Sequence, residues 1–294
     1  MRVAGQKRGQ VLIQSALQLP IESTSMNTPA GPLAEGYKDI DKLSAKWFPE
    51  HQVSSNLVPV LANCLGKLID LSSGDTALLI VGCGPNPLTV RDFKERGFRA
   101  FGVEPIQDFV NSANQQLGDS IVQVGDAEHL VFQDESMDVV ISESVLEHVE
   151  SPIKAISEAY RVLKHGGVAY YYTTNRYHFS LRGYNGEYNV PFFNWLPKVI
   201  RESYVYQHLH FDPKLANYSP RPAVHWFCYT DLCELGRSAG FFKFYSLLDL
   251  VDPSDWKVAQ SRWRTFCIKR LRSSVWLRGL ALVQYGSSIF MFKR

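Results

Sequence analysis

The chain has 294 residues, 45% of them apolar and 20% charged, with a net charge of +2. That profile belongs to a soluble globular protein, and the near balance of charge argues against a nucleic-acid partner. The five cysteines (Cys64, Cys83, Cys228, Cys233, Cys267) include no C-x-x-C pair. This argues against a disulfide framework or a structural metal site and for reduced thiols in a cytoplasmic setting.

Residues 1–36 carry turn formers such as Pro29, Gly31 and Pro32 and read as a poorly ordered tail, with the domain proper over 37–294. The first 20 residues hold Arg2, Lys7 and Arg8 and no acid, so a weak targeting signal is one reading. The simpler ones are a disordered tail or a start at Met26. No apolar run is long enough to span a bilayer.

Regular patterning begins at Ser55. Leu57, Leu61, Cys64, Leu65 and Leu68 fall on one helical face, with Ser54 or Ser55 as the cap. The run 77–81, apolar throughout and ended by glycine, predicts a strand buried on both faces. A helix follows from Pro87 and stops near Gly97. Strands are expected over 100–104, 121–124 and 138–141. Ser151 and Pro152 then open a helix with Ile153, Ile156, Tyr160 and Leu163 inward, ended by Gly166-Gly167. A strand over 168–173 follows. After Asn175 the rhythm breaks, until Thr230 caps a helix ending near Gly240. Residues 242–250 and 288–292 read as the last two strands. Strands alternating with helices at this spacing predict a doubly wound, mostly parallel, Rossmann-like α/β sheet of seven strands.

In such a sheet, ligands bind beyond the carboxyl ends of the strands. Four predicted strand ends carry Gly82-Cys83-Gly84, Glu104, Asp126 and Ser142-Glu143. Glycines at 82 and 84 let a ligand approach the backbone. An acid about 20 residues after the first glycine is placed to accept from ribose hydroxyls. A dinucleotide fingerprint needs a third glycine at 87, where Pro87 stands, and no Gly-Lys-Ser/Thr follows to make a phosphate-binding loop.

Five segments, in order and spacing, extend the pattern: 79–84, 102–105, 125–128, 137–149 and 161–167. Through them the chain resembles the class I S-adenosylmethionine-dependent methyltransferases, especially those acting on small molecules. The resemblance implies S-adenosyl-L-methionine as cofactor. Gly82, Cys83 and Gly84 would lie along its methionine part and Glu104 at its ribose. Asp126 would meet the adenine amino group with the Ala127 backbone beside the ring, and Ser142 and Glu143 would lie under the sulfonium. Ile80 stands where the family usually has an acid. If the acceptor is a hydroxyl, a general base helps, and His148 is the nearest candidate. The alternative reading of His148 is an ordinary loop histidine. His178, His208, His210 and His225 match no metal-ligand spacing.

The insertion at 176–228 holds 13 Phe, Trp and Tyr. It reads as an aromatic-rich lid over a sugar-like, aromatic or lipidic acceptor, or as a small subdomain that uses those rings as its own core. Within the basic insertion at 251–285, residues 256–278 carry seven Lys and Arg and no acid. A helix with Ile268, Leu271, Val275 and Leu282 on one face, interrupted by Gly279, is expected there. It either packs on the domain with a solvated basic face or makes peripheral membrane contact through 256–282. Two other functions stay open at this point: a non-catalytic cofactor-fold protein that binds a partner or membrane, and an NAD(P)-dependent oxidoreductase.

Overall fold

A computed structural model of the chain describes residues 57–71, 74–179, 188, 190–204, 223–251 and 262–294. The expected tail at 1–36, the Ser54/Ser55 cap, His208 and His210 lie outside the described residues.

Seven strands form one sheet in the order β3-β2-β1-β4-β5-β7-β6. These are β1 (Ala77–Val81), β2 (Arg99–Glu104), β3 (Val122–Val124), β4 (Met137–Glu143), β5 (Leu163–Tyr172), β6 (Lys243–Ser246) and β7 (Ser288–Phe292). The first five pair in parallel, whereas β7 runs antiparallel between β5 and β6. β1 is central and buried along its whole length, as its unbroken apolar run requires.

Helices cover both faces. On one side α1 (Leu57–Leu65) turns Leu61, Cys64 and Leu65 inward, and α2 (Leu88–Glu95) adds Val90 and Phe93. After α3 (Gln107–Leu117), the other side is covered by α4 (Pro152–Val162) and α6 (Tyr229–Ala239). Between β5 and α6 the chain forms a 3-10 turn (Phe193–Trp195) and α5 (Lys198–Tyr204). Tyr188, Phe193 and Trp226 make a buried aromatic cluster there. Short α7 (Leu247–Leu250) and a hairpin of α8 (Arg262–Ser273) and α9 (Val275–Tyr285) precede β7.

Four local expectations are corrected. Gly166-Gly167 does not end α4; the helix stops at Val162 and both glycines lie inside β5. The terminal carbonyls are met from far along the chain, since Lys293 Nζ donates to Tyr160 O at 3.0 Å and Leu163 O at 2.6 Å. Helix α6 begins before Thr230, because Asp231 accepts from the Cys228 N–H at 2.9 Å and caps the turn there. The expected strand at 242–250 ends at Ser246, where Asp249 accepts from both the N–H and the hydroxyl of Ser246 and starts α7. At Ser151 the side chain makes no capping bond. Glu128 instead accepts from the Glu150 and Ser151 N–H groups at 3.0 and 2.9 Å.

Gly236 sits where α6 crosses the sheet, and a Cβ there would lie 2.5 Å from Phe244 and 2.8 Å from Met291 Sδ. Gly236→Ala is expected to lower stability by about 1–3 kcal/mol, although alanine is the better helix former. Chemical denaturation checks this; a more stable variant would contradict the packing.

Candidate functional site

Parallel pairing brings the carboxyl ends of β1, β2 and β4 to one rim. Val81 pairs with Val103 on one side and with Ser142 on the other, so the next residues of all three strands emerge together. β1 turns away at Gly82, whose φ is +70°. Its N–H donates to Val103 O at 2.8 Å, and a Cβ there would stand 2.4 Å from Val145 Cγ2. Only glycine fits both demands. Gly84, at φ +66°, faces open space where a Cβ would meet nothing within 4 Å. Between them, burial holds the Cys83 thiol far above its ordinary pKa, with the nearby Glu104 charge adding to the effect. Cys83 is therefore a packing thiol rather than a nucleophile.

Glu104 ends β2 almost fully buried. Its carboxylate accepts from the Gly84 N–H at 3.0 Å and the Ile106 N–H at 3.4 Å. Desolvation nevertheless pushes its pKa from 4.5 up to about 7, against the lowering effect of those two bonds. Glu143, at the end of β4, is pushed up to about 7 by desolvation alone. No Lys or Arg among the described residues is ion-paired to either carboxyl. Among the described residues the rim therefore holds two carboxyls with no ion-paired cation, beside a backbone cradle kept open by glycine. Desolvated carboxyls of this kind are candidates for a functional site.

Ser142 is buried at the end of β4. Asp126 lies beyond β3, where its Oδ1 accepts from the Glu128 N–H at 2.8 Å and faces His129 Nδ1 at 3.4 Å. Ala127 beside it is buried. His148 is half-buried in the loop after β4, its N–H bonded to Val145 O. His178 Nδ1 contacts the Gln284 amide, and His225 Nε2 contacts Val149 O, so these two belong to loop packing.

Sequence reasoning missed the groups that fasten the segment after β5 to the rim. Glu147 is fully buried and accepts from the Thr173 hydroxyl at 2.6 Å. Its carbonyl accepts from Val224 N at 2.9 Å and His225 N at 3.3 Å. Asn175 donates to Val283 O and Gln284 O, both at 3.0 Å, tying the end of β5 to α9. Asn194 donates to the Arg176 and His178 carbonyls. Buried polar residues inside an aromatic-rich stretch were the available signal, but their partners are distant in sequence.

Residues 79–171, which contain this rim, match the model of the methyltransferase domain family. Over these residues the chain carries a methyltransferase domain. An uncharacterized methyltransferase of Schizosaccharomyces pombe is 32% identical over 103 residues, covering 31% of this chain and 37% of that protein. An uncharacterized methyltransferase of Mycobacterium tuberculosis is 33% identical over 90 residues, covering 31% and 36%. The chain thus matches only about a third of the length of these curated relatives. Among solved structures, the YcgJ protein of Bacillus subtilis aligns over 82% of this chain and 98% of its own, at 18% identity and a TM-score of 0.45.

The free domain's stability should reflect its strained rim. A carboxyl with a folded pKa near 7 and an ordinary value of 4.5 binds more protons folded than unfolded between those values. Stability therefore falls as pH rises through that window and levels off above it. Glu143→Gln removes this penalty. Its melting temperature should exceed the parent's at pH 8, with the difference shrinking towards pH 5. A gap independent of pH would mean that Glu143 is not held in its neutral form.

Proposed function

We propose that the protein transfers the methyl group of S-adenosylmethionine to a small-molecule acceptor, at an oxygen of a sugar-like, aromatic or lipidic compound. The observation that carries the reading is the pair of desolvated carboxyls beside the Gly82–Gly84 cradle, buried Glu104 and half-buried Glu143, with no ion-paired Lys or Arg among the described residues. A ligand that brings hydroxyl donors to one carboxyl and positive charge to the other satisfies both. A nicotinamide dinucleotide would instead bring a pyrophosphate, which gains nothing from such a rim. Non-catalytic use of the fold gives no reason to keep two desolvated carboxyls at the ends of β2 and β4.

In this reading Gly82, Cys83 and Gly84 lie along the methionine part. Glu104 accepts from the ribose hydroxyls with the lone pairs that the Gly84 and Ile106 N–H groups leave free. The unshared Asp126 oxygen accepts from the adenine amino group, with the Ala127 backbone beside the ring. Ser142 and Glu143 form the floor beneath the sulfonium. The bound cofactor supplies an already activated methyl group. The chain's own work is then to align the acceptor, exclude water and remove a proton. In this reading His148, in the loop leaving β4, takes that proton. Ser144 begins this loop at φ +54° and is fixed by its N–H to Tyr172 O at 2.8 Å, so the loop is well anchored for the task. Exposed Phe179, Phe192 and Trp195, with ring centroids 5.7–5.8 Å apart, supply an apolar surface on the insertion.

Calorimetry with S-adenosylhomocysteine and with NAD tests the reading. The first should bind and the second should not, and Glu104→Gln should weaken the first about tenfold or more. His148→Ala should leave that affinity intact and slow turnover once an acceptor is found. Binding of NAD, or of neither ligand, would overturn the proposal.

One surface favours a peripheral membrane location as part of the same function. On α9, Val275 and Trp276 are each 87% exposed and Leu280 is 69% exposed, with Val283 completing the stripe. The neighbouring α8 presents Lys269 and Arg270, both exposed, and the sequence has no acid from 256 to its end. No described helix is long and apolar enough to cross a membrane. An apolar stripe beside unopposed cations matches the surface of an anionic bilayer. The protein should co-sediment with phosphatidylserine-containing vesicles more than with phosphatidylcholine alone, and Trp276→Glu should abolish the difference. Equal sedimentation with both would refute this location.

A further inference from the structure

A cavity of about 400 Å3 opens between the segment after β5 and helix α6. None of the rim residues lines it. Its walls include Arg176, Lys198, Arg201, Trp226, Phe227 and Leu235. The unusual member is Arg201, which is only 3% exposed. Its guanidinium lies over the Trp226 ring at 4.7 Å, and Nη1 donates to Asn194 O at 2.8 Å. Its Nε is buried without an acceptor, and Nη2 has none among the described residues. No carboxylate among the described residues is ion-paired to it.

The neighbours add to the same imbalance. Arg176 Nη2 donates to Trp226 O at 3.0 Å and meets Asp231 only at 3.4 Å, and Arg176 Nε and Trp226 Nε1 are buried without acceptors. Asp231 and Glu234 also line the cavity, but Asp231 is engaged at the start of α6 by the Cys228 N–H. Lys198 is loosely paired to Glu202 at 3.4 Å. Burial, and then the charge of Arg176, hold the Arg201 pKa below its ordinary value.

Folded proteins rarely leave a buried guanidinium without an anion, because the desolvated charge is costly. The unpaired Nε/Nη2 edge of Arg201 has the fork geometry that matches two oxygens of one carboxylate or phosphate. Its other face is already used by Trp226, which fixes the plane of the fork. The apolar walls suit an uncharged remainder.

We propose that this cavity is an anion site, in which the Nε/Nη2 edge of Arg201, supported by Arg176 and Lys198, binds the carboxylate or phosphate group of a ligand whose apolar body lies along Phe227 and Leu235. None of the proposed cofactor-binding residues lines it, so anion binding can be tested without methyl transfer.

The test titrates the full chain with inorganic phosphate and, separately, with succinate, by calorimetry and by nitrogen-15 NMR of the arginine Nε–H groups. At least one anion should bind and shift the Arg201 resonance, and the tighter of the two names the ligand's anionic group. Arg201→Gln should weaken that anion about tenfold or more. Lys198→Gln, at an exposed side chain, should weaken it by about threefold. If Arg201→Gln does not fold, the Arg201 resonance in the parent and the Lys198 variant decide the matter. Binding of neither anion, or binding that leaves the Arg201 resonance unmoved, overturns the proposal.

Discussion

The rim depends on the register of β1 with its two parallel neighbours. Val81 stands opposite Val103 and Ser142 at once, so the Gly82 turn can only emerge between Glu104 and Glu143. The Glu104 carboxylate then closes the arrangement by accepting from the Gly84 N–H. That bond spans the ends of β1 and β2 and fixes the direction in which the cradle opens. A one-residue slip of β1 would exchange its two buried faces. Because both faces are fully packed, the register tolerates no slip, and the site inherits its geometry from the core.

Charge is sorted by location. Among the described residues, Glu104 and Glu143 at the rim have no ion-paired cation, whereas Arg201 in the cavity beside α6 has no ion-paired acid. Elsewhere, partly buried cations are closed by acids. Arg161 is one such case, meeting Glu158 and Asp134 as well as the Leu130 and Phe132 carbonyls. Arg278 is another, forked onto Asp249. The exceptions therefore reflect placement rather than poor packing, and each defines the charge of the ligand that would relieve it.

The parallel half of the fold was legible in the sequence because its signals are local. The apolar run of β1, the glycines that follow it and the strand-ending acids at 104 and 143 each lie within a few residues. What was not legible depends on partners far away. The end of α4 is set by Lys293, about 130 residues later, not by the adjacent glycines. Glu128 takes the role at the start of α4 that Ser151 was expected to fill. The insertion after β5 was legible only as two alternatives. Tyr188, Phe193 and Trp226 form a core of their own, as one of them expected, while Phe179, Phe192 and Trp195 lie outside it. Composition cannot separate these two sets, since only the anchors Glu147, Asn175 and Asn194 decide which side of the segment faces inward.

The C-terminal hairpin shows the same limit from the opposite direction. Its apolar residues suggested a stripe packed inward with the cations in water. Of the expected stripe, Ile268, Leu271 and Leu282 are half-buried and Val275 alone is exposed, while the cations divide between the two sides. Arg272 turns in to the Leu248 and Val251 carbonyls, and Arg278 to Asp249, so two of the cations do the anchoring. Val275, Trp276 and Leu280 are left outside. Ser274 breaks the helix and its hydroxyl accepts from the Leu277 N–H, which resets the rotation of α9 relative to α8. A single continuous helix would have kept one face for all four expected positions. The break separates them, and it converts an ordinary amphipathic pattern into an exposed apolar ridge next to Lys269 and Arg270.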